Sequence, residues 1–268
     1  MELKDGVKEF WDEASCGEKL LLENTNKIGY LKQSAERYAL EPIIESFAEF
    51  DKFSGKNTLE IGVGLGADHQ RYAESGALLS GIDLTNRAVE HTLTRLSYFG
   101  LESDLRVGDA ENIDFRDNTF DLVYSWGVIH HSPNTPEAVS EIFRILKPGG
   151  RAKIMIYHKW SIVGFMLWFR YGLLALNPRL SLADVYSQQL ESPGTKAYSI
   201  SEAYALFDDY SDVRITTLLT HADLLTSQAG QRHEGFLLTL ARKIWPRRFL
   251  KFAFSRAGLF MLIDARKG

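Results

Sequence analysis

The stretch TLEIGVGLGADH, residues 58 to 69, decides the fold. A short apolar segment of strand length runs into Gly62, Gly64 and Gly66, spaced by single residues, and then into a segment of helical composition. A glycine turn between a strand and a helix lets the backbone approach a ligand and aims free N–H groups at it. The junction therefore reads as the first β–α unit of a nucleotide-type fold. Gly62-x-Gly64-x-x-Ala67 also satisfies the dinucleotide fingerprint, so the turn alone does not choose among coenzymes.

Downstream, strand-length apolar runs recur at 77–83, 104–109, 120–126 and 152–158, with helix-length segments between most of them. That alternation predicts βαβ units and a doubly wound parallel sheet covered on both faces. Thr135-Pro136 reads as an N-cap with proline at the first helical position, and Lys147 to Gly150 as the stop of the same helix. After Tyr157 the alternation lapses for about fifty residues, too long for an ordinary connection, so a helical insert is expected over about 159–211. Within it, Ser199 and Glu202 have the spacing of a capping box. Further strands are read at 213–219 and 259–266. Residues 1–50 have helical periodicity and form an N-terminal cap; 51–268 form the Rossmann-like domain.

Three acids stand at successive strand ends. A carboxylate a few ångströms from a pyrophosphate in a partly dry site would repel it by kilocalories rather than tenths, so Glu60, two residues ahead of the glycines, is read as matching a cationic ligand. S-adenosylmethionine carries a sulfonium and an ammonium and no phosphate. Asp83, ending the second strand, is placed to accept the hydroxyls of a ribose. Asp109, ending the third, is placed to accept from the exocyclic amine of adenine, with the Ala110 N–H facing a ring nitrogen.

In these motifs the sequence resembles the class I S-adenosylmethionine-dependent methyltransferases, in the small-molecule branch that includes ubiquinone and menaquinone methyltransferases. The similarity runs from about Asn57 to Tyr157: TLEIGVGLGADH, GIDLT, GDAENIDFRDNTFDLVYSWGVIHH and EIFRILKPGGRAKIMI. The resemblance implies a seven-stranded, mostly parallel sheet with an antiparallel last strand. It assigns Glu60, Gly62, Gly64 and Gly66 to the methionine end, Asp83 with Leu84 to the ribose, and Asp109 with Ala110 to the adenine. Ser125, Trp126 and Gly127 fall where the fourth strand meets the methionine part and the methyl acceptor.

Methyl transfer needs a base only when the acceptor must lose a proton. His130 and His131 after the fourth strand, and Tyr157 and His158 after the fifth, are the candidates. The apolar start of the insert, with Trp160, Phe165 and Trp168, is expected to roof an acceptor pocket. No Cys/His set has metal-ligand spacing, so no metal is implied, and the lone Cys16 forms no internal disulfide.

Composition bounds the rest. With 268 residues and 45% hydrophobic content the chain fills a large α/β core. The absence of a basic-then-apolar leader and of cysteine pairs predicts a cytoplasmic protein. From Arg232 onward nine Lys or Arg face only Glu234 and Asp264, a local +7 that leaves −11 for the preceding residues. Mixed with Trp and Phe, this basic segment is compatible with peripheral membrane contact, and an oligomer is compatible too. SWGVIHHSP replaces the Asn/Asp-Pro-Pro-aromatic clamp for a flipped base, so nucleic acid is not the expected substrate. The expected function is methylation, by S-adenosylmethionine, of carbon or oxygen on a small, hydrophobic or aromatic metabolite, prenylated ones included. The alternatives are a nicotinamide-dependent oxidoreductase and a non-catalytic methyltransferase-like scaffold.

Overall fold

In the computed structural model, which describes residues 2–227 and 242–268, seven strands form one sheet in the order β3-β2-β1-β4-β5-β7-β6. They are β1 (Asn57–Ile61), β2 (Leu78–Asp83), β3 (Asp104–Val107), β4 (Phe120–Trp126), β5 (Leu146–Tyr157), β6 (Asp212–Leu218) and β7 (Phe260–Arg266). All neighbours pair in parallel except β7, which runs antiparallel between β5 and β6. Each run expected as a strand is one, to within a residue or two, except that β5 begins at Leu146. There the Lys147-Pro148-Gly149-Gly150 turn ends the helix and also carries a register jump, from Phe120↔Leu146 to Leu122↔Arg151.

Alternation along the central strands builds two cores. Val123, Ile154, Ile156, Met261 and Ile263 face one side; Leu122, Tyr124, Trp126, Met155 and Leu262 face the other. The period-2 direction of side chains forces this split, and a buried parallel sheet needs both faces covered. Helix α7 (Thr135–Ile145) covers the first face. The second receives α4 (Ile43–Ala48), α5 (Ala67–Glu74), α8 (Ile162–Trp168) and α9 (Leu182–Gln189), the first preceded by α1 (Glu2–Glu13), α2 (Glu18–Leu21) and α3 (Lys27–Leu40). Helix α6 (Asn86–Phe99), capped by Thr85 at its start and by left-handed Gly100 at its end, crosses from β2 to β3.

One expectation shifts. Asn134, not Thr135, caps α7, its side chain accepting from the Glu137 N–H, with Pro136 in the first turn. Helix α10 (Ile200–Leu206), begun by the Ser199/Glu202 capping box, packs Ala203, and Phe207 at its end, into the first core as a sheet-covering helix. A last helix, α11 (Arg247–Ala253), precedes β7. Arg232 and Glu234 of the basic segment lie outside the described residues.

Candidate active site

Carboxyl-end loops of β1, β2, β3 and β4 border one cavity of about 230 Å³, and α1 and α3 close it from the N-terminal side. Gly62 has φ 82°, donates its N–H to Ile82 O at 2.7 Å, and lies so close to Val128 that an added Cβ would stand 2.2 Å from Cγ2. Gly64, at φ 53°, faces open space instead, so its missing side chain leaves room for a ligand.

The Asp83 carboxylate is held by its own turn: one oxygen accepts Thr85 N and Oγ1 at 3.0 and 2.8 Å, the other Gly64 N at 3.2 Å. Burial raises its pKa against these donors. Leu84, Asp109, Ala110, Trp126 and Gly127 also border the cavity. Asp109, however, accepts the Lys4 ammonium of α1 at 2.6 Å, and Lys4 also reaches Glu111. Burial works against the Lys4 charge, but the two acids outweigh it and raise its pKa. The first helix thus closes over the third-strand acid, a contact 105 residues apart in sequence.

Glu60 corrects the charge argument drawn from the sequence. Its carboxyl, 3% exposed, turns to His69 Nδ1 at 2.8 Å. Ser103 Oγ donates to Leu79 O and so accepts from His69 Nε2 at 2.8 Å, and because burial keeps the ring neutral this leaves Nδ1 without a proton. Glu60 must then be the donor, a neutral acid. Burial raises its pKa well above the usual carboxyl range and lowers that of His69 to about 3.

A pH-dependent stability follows. Folded, the pair holds one proton; unfolded, it holds two below 4.5, one between 4.5 and 6.5, and none above 6.5. The pair's stabilisation is therefore level between those values and falls on either side, as pH drops below 4.5 or rises above 6.5. Glu60→Gln keeps a donor to Nδ1 but removes the titration. Above about pH 7, over the range in which folded Glu60 keeps its proton, wild type should lose about 1.4 kcal/mol per pH unit relative to this variant in urea unfolding. A constant difference would mean an ionised Glu60.

Asp68, in the first turn of α5, is a buried acid held in its charged form. Its oxygens accept Arg37 Nη2 at 2.8 Å, Tyr38 OH at 2.9 Å and Tyr124 OH at 3.0 Å, and these donors hold its pKa low despite burial. Arg37 also pairs with Glu41 at 3.6 Å, and Glu41 accepts Trp126 Nε1 at 3.1 Å. Sequence reading missed Arg37, Glu41 and Asp68, because two of them lie on the N-terminal helices. The only signal was the first-turn acid in GADH.

At the far end Trp126, Met155, Tyr157 and Phe260 form an apolar wall, with Tyr157 and Phe260 stacked at 6.4 Å. His131 lies there, Trp11 of α1 edge-on to its ring at 5.4 Å. Its Nδ1 is 3.0 Å from Thr195 Oγ1 and 2.8 Å from Ser192 Oγ. Thr195 donates its hydroxyl proton to Ser192 O and so can only accept from Nδ1, whereas the Ser192 hydroxyl can either donate to Nδ1 or accept from it. Nε2 stands 3.3 Å from Glu191, which accepts Tyr157 OH at 2.8 Å. Glu191, unanticipated from the sequence, follows α9 and closes this corner. Ring nitrogens of His130 and His131 and a Glu191 oxygen come within 4.8 Å of one another, a grouping that sequence spacing hid. Cys16 borders the cavity and is exposed to it.

Several anticipated residues do not reach the cavity. Ser125 is buried within the sheet, His130 behind His131, and His158 hydrogen-bonds Gly258 O at 3.2 Å under the insert. Trp160 and Phe165 face outward, each 50% exposed, and Trp168 Nε1 donates to Leu180 O within the insert. A helix apolar on nearly every face gave no sign of which face would look inward.

Residues 59–154 match the family described as "Methyltransferase domain". Phosphoethanolamine N-methyltransferase 2 of Caenorhabditis elegans is 39% identical over 122 residues, covering 44% of this chain and 27% of that protein. Sterol 24-C-methyltransferase ERG6A of Gibberella zeae is 31% identical over 121 residues, 41% and 32% of the two chains. The chain thus spans a third or less of the length of these curated relatives. Among solved structures, phosphoethanolamine N-methyltransferase 2 of Haemonchus contortus superposes with TM-score 0.60 at 17% identity, over 97% of this chain and 60% of that one. The [4+2]-cyclase SpnF superposes with TM-score 0.55 at 18% identity, over 85% and 80%. At such identity the likeness shows the fold alone. Residues 59–154 of this chain thus match a methyltransferase domain, set in a seven-stranded sheet whose fold these solved structures share.

Proposed function

We propose that this protein transfers the methyl group of S-adenosylmethionine to a hydroxyl oxygen of a small, largely apolar acceptor. The observation that carries the reading is the continuity of one cavity, from Gly64, Asp83 and Asp109 at one end to His131, Tyr157 and Phe260 at the other. The residues fit the coenzyme at each part. Gly64 leaves open space beside Asp83, and the spare lone pairs of that carboxylate suit a ribose diol. Arg37 offers a cation, Asp68 an anion, and Glu41 a carboxyl whose pKa burial raises against the Arg37 charge, to a methionine end that bears both an ammonium and a carboxylate. A diphosphate would instead meet Asp68, charged, in the first turn of α5, which disfavours a nicotinamide dinucleotide.

Bound there, the coenzyme supplies an electrophilic methyl on a sulfonium. The wall of Trp126, Met155, Tyr157 and Phe260 excludes water and holds an apolar acceptor body against it. In the tautomer that donates Nδ1–H to Thr195 Oγ1, His131 Nε2 presents a lone pair that would take the proton released by the acceptor hydroxyl on methylation. Tyr157 holds Glu191 beside the imidazolium so formed.

Calorimetric titration with S-adenosylhomocysteine and with NAD tests the coenzyme assignment. Saturable binding of the first and none of the second is the expected result; the reverse would establish the oxidoreductase. Release of S-adenosylhomocysteine on addition of metabolite extract, lost in His131→Asn with coenzyme affinity kept, separates an enzyme from a binding scaffold.

A further inference from the structure

Half of the exposed large apolar side chains among the described residues lie on two short segments, 160–176 and 244–254. Phe252 is 89% and Leu176 90% exposed, with Phe165, Phe169 and Phe249 at least half exposed and Ile244 at 72%. Helix α11 buries no residue at all. Isolated exposed leucines need no explanation, whereas a contiguous apolar surface does.

The two segments are tied together at one edge of the fold. Ile162 N donates to Ala257 O at 2.9 Å, and the Asp223 carboxylate accepts both Val163 N and Leu259 N, at 3.2 and 2.9 Å. Trp245 Nε1 and Arg247 Nε donate to the carbonyls of Asp223 and Leu224, at 2.9 Å each. The turn around Asp223 therefore pins the start of α8 beside the approach to α11.

Charge on this surface has one sign. Residues 160–183 contain Arg170 and Arg179, residues 242–263 six Lys or Arg, and neither stretch contains an acid. Among the described residues no ion pair engages Arg170, Arg179, Arg248 or Lys251. The remainder of the chain is acidic, with a net charge of −4 overall. An anionic plane would thus repel the body and attract this edge, which sets the orientation of docking. No helix among the described residues is long and apolar enough to cross a membrane, so insertion would stop at the interface.

We propose that this edge is a docking surface for an anionic lipid bilayer, with the aromatic and leucine side chains entering the headgroup boundary and the unpaired cations meeting lipid phosphates. The inner side of the same insert packs Val163, Leu167 and Tyr186 into the core that includes Trp126, Tyr157 and Phe260. Docking would therefore bring the acceptor end of the cavity towards the lipid. The docking surface itself does not depend on which reaction takes place beneath it.

Co-sedimentation of the full chain with vesicles tests this, comparing phosphatidylcholine alone with phosphatidylcholine plus phosphatidylglycerol. Binding at low salt only to the anionic vesicles, weakened by added salt, is expected. Arg248→Glu with Lys251→Glu should weaken it by at least about tenfold, and Leu176→Ser with Phe252→Ser likewise, with unchanged melting temperatures. Equal binding to both vesicles, no binding, or full binding by the variants would overturn the proposal. So would light scattering that shows wild type to be an oligomer which Leu176→Ser with Phe252→Ser makes monomeric, since the patch would then join copies of this chain. S-adenosylhomocysteine affinity, measured on the same preparations, keeps failure here distinct from failure of the methyl-transfer reading.

Discussion

Arg95→Met should cost about 3–5 kcal/mol of stability, the range for stripping one member from a buried charged network. The guanidinium has no exposure and no carboxylate partner; it donates to Gln70 Oε1, Gln33 Oε1, Leu65 O and Tyr30 O at 2.7 to 3.0 Å, and to Ser34 Oγ. Burial lowers its pKa to about 10, so it remains charged at neutral pH. Methionine fills the volume but leaves five acceptors unsatisfied, and each buried orphan costs about 1–3 kcal/mol before relaxation. These bonds fasten α3 to the glycine loop through Leu65, so the surviving folded fraction should also bind S-adenosylhomocysteine more weakly. Urea unfolding gives the first quantity and calorimetry the second. A stability loss under about 1 kcal/mol would show that the network is satisfied by water or that α3 is held by other contacts.

Asp83→Asn should lower S-adenosylhomocysteine affinity by about ten- to a hundredfold, the equivalent of losing one or two charge-assisted hydrogen bonds. Asparagine keeps an oxygen for Thr85 or Gly64 but not both, and presents an amide where a diol hydroxyl would donate. Because Thr85 caps α6, a melting-temperature control is needed to show that the helix start survives. Unchanged affinity with an intact fold would remove Asp83 from the ribose contact.

The fold was legible because its signals are local. Strand-length apolar runs, the glycine turn at Gly62 to Gly66 and the Ser199/Glu202 capping box each depend on a few neighbouring residues, and the observed elements follow them closely. The site was legible only in part. Asp83 and Asp109 border the cavity as strand-end position predicts, whereas Glu60 spends its carboxyl on His69, a residue nine positions away, and becomes neutral. No spacing rule could reveal that, since its protonation depends on a chain of bonds through His69 to Ser103 and Leu79.

Hydrophobic patterning also showed that residues 160–178 form an apolar insert, but not which way Trp160 and Phe165 point. Direction depended on what the insert leans against: α9 and the edge of β5 bury Val163 and Leu167, and the bulkier rings are left outside. By itself, then, the sequence determined the doubly wound sheet, its glycine turn and the acids at its carboxyl edge, because these follow from backbone geometry and side-chain period over short distances. Tertiary structure alone decided which acids are charged, that α1 and α3 bring Lys4 and Arg37 to the cavity, and that His131 meets Glu191. Those outcomes rest on burial and on contacts between residues far apart in the chain, where desolvation and hydrogen-bond partners, rather than residue type, set the chemistry.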